Sequence, residues 1–283
     1  MSKPSSKIGH CHLCGEYGKL SFEHVPPESA FNDRKVVTPD AKRVFELRDL
    51  DELRNLSGKQ SQRGQGGYTL CGRCNRLTGH WYGANYAAWV YQGADYLRRS
   101  SGPMQLAYPF HLLPLRVIKQ VACMFFSVNS PQFRAAHPAL KQFILNKEAK
   151  YLPPGIQVYV GYLQSDRSRA AGVTGSMQLD EISGMTRLRI YSEISFPPFS
   201  YILSIESPPP EHEMLDITFF GNYGYDEFAT LQLPIPMLSV YTPFPGDFRN
   251  REIVLQQSSE HQGVKRTSRG QQLSSTIRCF PLF

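Results

Sequence analysis

An α+β fold is predicted for this 283-residue chain, with a cysteine-knit N-terminal unit, then helices, then a mostly antiparallel sheet. Three observations carry the prediction. Four cysteines form two tight pairs, Cys11-x-x-Cys14 and Cys71-x-x-Cys74. Apolar residues recur at helical spacing between 75 and 146. From 156 to 241 the pattern changes to short β-prone runs separated by Pro and Gly clusters, the order expected of an α+β chain.

The length suits one large or two ordinary domains, and 41% hydrophobic residues is ordinary for a chain that buries a core. The net charge of +7 is unevenly spread. Residues 1–100 hold 15 Lys/Arg against 10 Asp/Glu, residues 101–250 hold 11 against 12, and residues 251–283 hold 5 against 2. The basic excess therefore travels with the cysteine-bearing unit and the tail, where a polyanion partner is expected. We expect three parts: a module at 1–100, an α+β accessory domain at 101–250 and a polar, basic tail at 251–283. No run approaches the ~18 apolar residues of a membrane span, and no signal segment opens the chain. A reducing, cytoplasmic setting without membrane contact is expected, where paired cysteines read as metal ligands rather than disulfides.

The elements follow in order. Cys11 to Cys14 with Gly15 predicts a metal knuckle, Gly easing the tight turn. Leu20 to Val25 alternates as a short strand that Pro26-Pro27 ends. Strict alternation points Glu23 and His24 to opposite faces, so one site needs a twist or bend there. Apolar residues at 44, 47, 50, 53 and 56 suggest a short amphipathic helix or helical turns. Residues 57–67 read as a Gly-rich loop; Lys59 and Arg63 there are candidate phosphate contacts, the alternative being a solvated connector. Asn75 to Arg99 carries apolar residues at 77, 81, 84, 88 and 91, a helix face that Gly79 and Gly83 weaken. Its aromatics, Trp81 to Tyr91, are expected mostly to pack. Ser100 to Leu113 reads as a linker. Pro114 opens a helix to Val128, in which Cys123 is expected to be core, and residues 131–146 form a second helix. Strands are expected at 157–163, 186–194, 200–206, 215–220 and 230–233. From Gln256 the chain reads as a polar tail apart from its apolar end.

Two Cys-x-x-Cys knuckles supply four thiolates, the closed tetrahedral shell of structural zinc. His10 and His12 flank Cys11, but four cysteines already complete the shell. A closed shell offers substrate no open position, so any chemistry falls to other residues. Phe22-Glu23-His24-Val25-Pro26-Pro27 lies between the knuckles, and Asn75 directly follows Cys74. Together these segments resemble the HNH endonuclease superfamily (ββα-metal, or His-Me finger), in its four-cysteine zinc branch, over roughly residues 8–100. Glu stands where Asp or His is more usual in that family, and the last member is Asn rather than His.

The resemblance implies a zinc-stabilised ββα-metal module, with Glu23 and Asn75 as ligands of a catalytic Mg²⁺ or Mn²⁺ and His24 as general base. It also implies a helix starting at the second knuckle with Asn75 facing the His-bearing strand. A neutral imidazole can take the proton of an attacking water, and a hard cation anchored by a carboxylate and an amide oxygen offsets phosphate charge. Arg73 and Arg76, which bracket Asn75, and His80 are candidate contacts to nucleic acid. The expected activity is phosphodiester hydrolysis, in DNA rather than RNA, with the C-terminal domain serving targeting or control, as in phage defence. The alternative from another class is a non-catalytic zinc module that binds nucleic acid or protein. A second divalent-ion site between Glu23, His24 and Asn75 distinguishes the two.

Overall fold

A computed structural model describes residues 7–39, 58–100, 107–165, 167–179, 186–210, 214–240, 244–249, 256 and 278–281. The helical turns expected at 44–56 and most of the expected tail lie outside the described residues. Strands β1 (Ile8–His10) and β2 (Tyr17–His24) open the fold. Next, β3 (Val36–Pro39) pairs antiparallel with β4 (Gly58–Ser61), and β5 (Gly66–Cys71) completes a three-stranded sheet of order β1-β2-β5. The loop expected over 57–67 is thus mostly strand. Pairing with β2 and β3 fixes a backbone that side-chain preference alone leaves unassigned.

Cys71 caps helix α1 (Gly72–Thr78), its sulfur accepting from the Cys74 amide at 3.5 Å. A π-helical turn, Gly79–Gly83, links α1 to α2 (Ala84–Arg99). The two glycines that weaken the helical pattern mark the two ends of that turn. Strand β6 (Tyr108–Leu112) occupies part of the expected linker, because β12 (Ala229–Leu233) returns to pair with it. Helix α3 (Pro114–Val128) begins with its proline, as expected. The single helix expected at 131–146 is two, α4 (Pro131–Ala136) and α5 (Pro138–Leu145), because Pro138 has no N–H to continue the ladder.

The large sheet runs β11-β7-β10-β9-β8-β14 with β13 (Met237–Leu238) parallel to β7, all other pairs being antiparallel. Its strands are β7 (Ile156–Leu163), β8 (Arg169–Leu179), β9 (Thr186–Phe196), β10 (Phe199–Ile205), β11 (Leu215–Asp216) and β14 (Arg278–Pro281). The expected strand at 215–220 is cut to two residues. The Asp216 carboxylate accepts from the Thr218 amide at 2.8 Å and turns the chain into a short 3-10 helix. Strand β8, rich in Ala and Gly, escaped the reading; β9 and β14 hold it from either side.

Helix α3 is buried on nearly every side, with 13 of its 15 residues buried, Lys119 and Gln120 among them. One buried cluster joins it to Leu13, Leu70, Tyr82 and Trp89 on one side and to Val160, Ile194 and Phe199 on the other. Cys123 is fully buried within it, as expected. Trp89 stacks on Phe199 with centroids 4.9 Å apart and donates from Nε1 to the Tyr201 hydroxyl at 2.9 Å. One turn on, α2 presses against the same ring: a Cβ on Gly93 would lie 2.2 Å from Phe199.

Alanine is intrinsically the better helix residue, by ~0.5–1 kcal/mol, yet Phe199 is buried and cannot yield. Gly93→Ala is therefore expected to destabilise the protein by ~1–3 kcal/mol, read by chemical denaturation. Unchanged stability would contradict the Trp89–Phe199 packing.

Candidate functional site

The four cysteines converge. The sulfurs of Cys11, Cys14, Cys71 and Cys74 all lie within 4.8 Å of one another. Zinc–sulfur bonds of ~2.3 Å give a tetrahedron with edges of ~3.8 Å, and Cys14 Sγ lies 3.8 Å from Cys71 Sγ. The set therefore fits a closed structural zinc site. Local backbone explains the convergence. Gly15 takes a positive φ of 92° and its amide donates to the Cys11 carbonyl at 2.9 Å, closing the first knuckle. The Cys71 amide donates to Cys11 Sγ at 3.3 Å, tying the second knuckle to the first.

The sulfur charges point the same way. A hydrogen bond from Cys74 pulls the Cys11 thiol down to about 4, while burial pushes Cys14 up to about 11. Cys74 is pushed up, first by its bond to Cys11 and then by burial. Without a cation the pocket tolerates few thiolates; a divalent cation lets all four ionise. His10 and His12 lie outside the set: their Nδ1 atoms pair with the carbonyls of Gly15 at 3.1 Å and Phe126 at 3.2 Å. Arg134 donates to the Cys11 carbonyl at 2.8 Å, so α4 braces the first knuckle from outside.

Beside this knot lies a cleft of about 630 Å³. Phe22, Glu23 and His24 form its strand wall, and Pro27, Glu28 and Ser29 continue it. Asn75, Gly79, Gly83, Ala84, Ala87, Ala88 and Tyr91 form its helical wall. Glu23, His24 and Asn75 thus line one space. The β2–β5 register shifts between Ser21 and Phe22, with Thr69 of β5 as the extra residue; this irregularity precedes both Glu23 and His24 and is not the bend expected between them. Asn75 spans that irregularity, donating from Nδ2 to the Phe22 carbonyl at 3.1 Å and the Ser21 hydroxyl at 3.2 Å. Its carboxamide oxygen is left free of hydrogen bonds among the described residues. The Phe22 ring meets the His24 imidazole edge-on at 5.0 Å. Gly66 lets β5 come this close, since a Cβ there would lie 2.1 Å from the Glu23 carbonyl oxygen.

Glu23 is 6% exposed. Burial pushes its carboxyl up to about 8, with no cationic side chain among the described residues to offset it. A further clamp went unread in the sequence. Buried Asn32 donates to the Pro26 and Gln65 carbonyls at 2.6 and 2.7 Å and accepts from the Gln65 amide at 2.7 Å. It fixes the loop leaving His24 against the start of β5. Gln120 of α3, which also lines the cleft, lies outside residues 8–100 and carries no motif.

The other candidates are not among the residues lining the cleft. Lys59 is exposed on β4 and Arg63 on the turn after it. Arg73 is exposed and pairs with Glu16 at 3.8 Å. Arg76 and His80 are exposed on the helical segment that carries Asn75. Tyr82, Tyr86 and Trp89 pack in the core, whereas Tyr91 is exposed at the cleft and meets Phe31 edge-on at 4.7 Å.

Two outcomes follow from this geometry. Cys74→Ser is expected to strip the zinc and unfold the N-terminal sheet, since structural zinc contributes on the order of 10 kcal/mol to such units. Metal content and circular dichroism read this together; full structure without zinc would contradict it. For Glu23 the folded value lies above the ordinary one, so its stabilising contribution is complete below pH 4.5 and is lost as pH rises to about 8. In zinc-loaded protein free of other divalent ions, the melting temperature should fall across that window, and Glu23→Gln should flatten the fall.

No family model matches this chain, and no match is found among curated proteins or solved structures.

Proposed function

We propose that this chain is a metal-dependent endonuclease of the HNH type, hydrolysing phosphodiester bonds in DNA. One observation carries the reading: Glu23, His24 and Asn75, 52 residues apart in sequence at the extremes, line a single cleft beside the four-cysteine knot. A zinc module that only binds a partner has no need to bury a carboxylate in a cleft next to an imidazole and a carboxamide.

The donor set suits a hard divalent cation. Glu23 offers a buried carboxyl with no cationic partner among the described residues, which a bound cation would ionise, and Asn75 offers an amide oxygen while its Nδ2 is spent on the strand. Mg²⁺ takes oxygen ligands and keeps several waters, so two protein oxygens suffice as an anchor. Bound there, the cation offsets charge on the phosphate and the leaving oxygen. His24, at the end of β2, faces the cleft and is held against Phe22; it takes the proton of the attacking water. Asn75 holds the strand that carries His24, so the base and the cation anchor move together. The exposed Arg76 and His80 on the same helical segment supply cationic and polar surface for the flanking nucleic-acid backbone.

Cleavage of supercoiled plasmid, single-stranded DNA and RNA, with Mg²⁺ or Mn²⁺ and with chelator, tests the reading. Metal-dependent cutting of DNA is expected, and His24→Ala should lose ~10²–10⁴ in rate with zinc content unchanged. Cutting that survives the substitution would remove His24 from its role. Cutting confined to RNA would overturn the substrate class.

A further inference from the structure

Helix α3 contributes a polar group to the cleft from outside the β2–β5–α1 unit. Gln120 is 1% exposed, lines the cleft, and its Oε1 has no hydrogen-bond partner among the described residues. Its neighbour Lys119 is equally buried but satisfied, donating to the carbonyls of Phe143 and of Asn146, the latter at 2.8 Å. The fold therefore supplies partners to one polar residue of this turn and not to the next. A buried acceptor with an unmade hydrogen bond is costly, and an apolar side chain of the same length would fill that position without cost. The opposite wall leaves room for an occupant. Cβ atoms built on Gly79 or Gly83 meet nothing within 4 Å.

We propose that Gln120 belongs to the cation site, its Oε1 accepting a hydrogen bond from a water of the hydrated divalent ion that Glu23 and Asn75 anchor. This rests on the nuclease reading of the cleft and adds to it a residue from the central helix. The unpartnered Oε1 calls for a donor, because an oxygen offers only lone pairs. Waters on Mg²⁺ or Mn²⁺ are strong donors, and these ions retain several of them. Gln120 is accordingly a positioning residue: it orients the ion's water shell rather than touching the reacting atoms. It also ties the occupied cleft to the helix on which the large sheet packs.

The test is Mn²⁺ titration of the full-length, zinc-loaded protein by calorimetry and electron paramagnetic resonance, alongside melting of the Mn²⁺-free protein. Gln120→Met is expected to weaken Mn²⁺ binding ~10–100-fold while keeping or raising the melting temperature without Mn²⁺. Gln120→Glu, which keeps an acceptor oxygen, is expected to retain Mn²⁺ affinity. Wild-type Mn²⁺ affinity in Gln120→Met overturns the proposal alone, as does a fall in its Mn²⁺-free melting temperature, the mark of a structural amide. Failure of the wild-type protein to bind Mn²⁺ outside the cysteine site overturns the nuclease reading itself, and Gln120 with it.

Discussion

Four sulfurs within 4.8 Å of one another, a spacing that fits structural zinc, constrain the N-terminal end. The first knuckle leads directly into β2, and the second closes β5 and caps α1. Fixing the sulfurs fixes where strand and helix meet, and so fixes Glu23 and His24 relative to Asn75. Such a small sheet has little apolar surface of its own to bury, and a metal compensates in units of this size. Contacts from outside reinforce it: Arg134 on the Cys11 carbonyl, and His12 with the Phe126 carbonyl of α3.

The second constraint is the buried helix α3. Residues of the cysteine-bearing unit cover one side of it and the large sheet covers another, within one continuous apolar cluster. Trp89 extends this arrangement, reaching from α2 to stack on Phe199 of β10. Polar groups in such surroundings are tolerated when satisfied, as Lys119 is, and are conspicuous when not, as Gln120 is. The cleft collects two such groups, the buried Glu23 carboxyl and the Gln120 acceptor. Sites that act on ligands commonly hold groups whose local energies are poor until the ligand arrives.

The legible parts of this chain were those written in short-range chemistry. Cysteine spacing announced the four-sulfur cluster, and Pro114 with the apolar run behind it announced α3. The resemblance to HNH nucleases implied a helix starting at the second knuckle, and a helix carrying Asn75 starts there. Long-range pairing was opaque. Strand β4 has poor strand-forming composition and β6 contains Pro109; both exist because β3 and β12 supply their hydrogen bonds. The Ala- and Gly-rich β8 is held by its neighbours in the same way. Asn32 and Gln120 were invisible for a related reason: one is a clamp and the other a cleft wall only after distant segments meet. Lys59 and Arg63 were expected on a basic loop; the structure places them exposed on a paired strand and the turn after it, outside the cleft lining.

The central claim is that the cleft holds a divalent cation separate from the one at the cysteines. Anomalous diffraction from crystals grown with Mn²⁺, recorded on either side of the manganese and zinc edges, tests it most directly. The account predicts a zinc peak among Cys11, Cys14, Cys71 and Cys74, and a manganese peak between Glu23 and Asn75 with Gln120 in reach of its waters. A zinc peak alone, with the cleft free of manganese at saturating concentration, would contradict it.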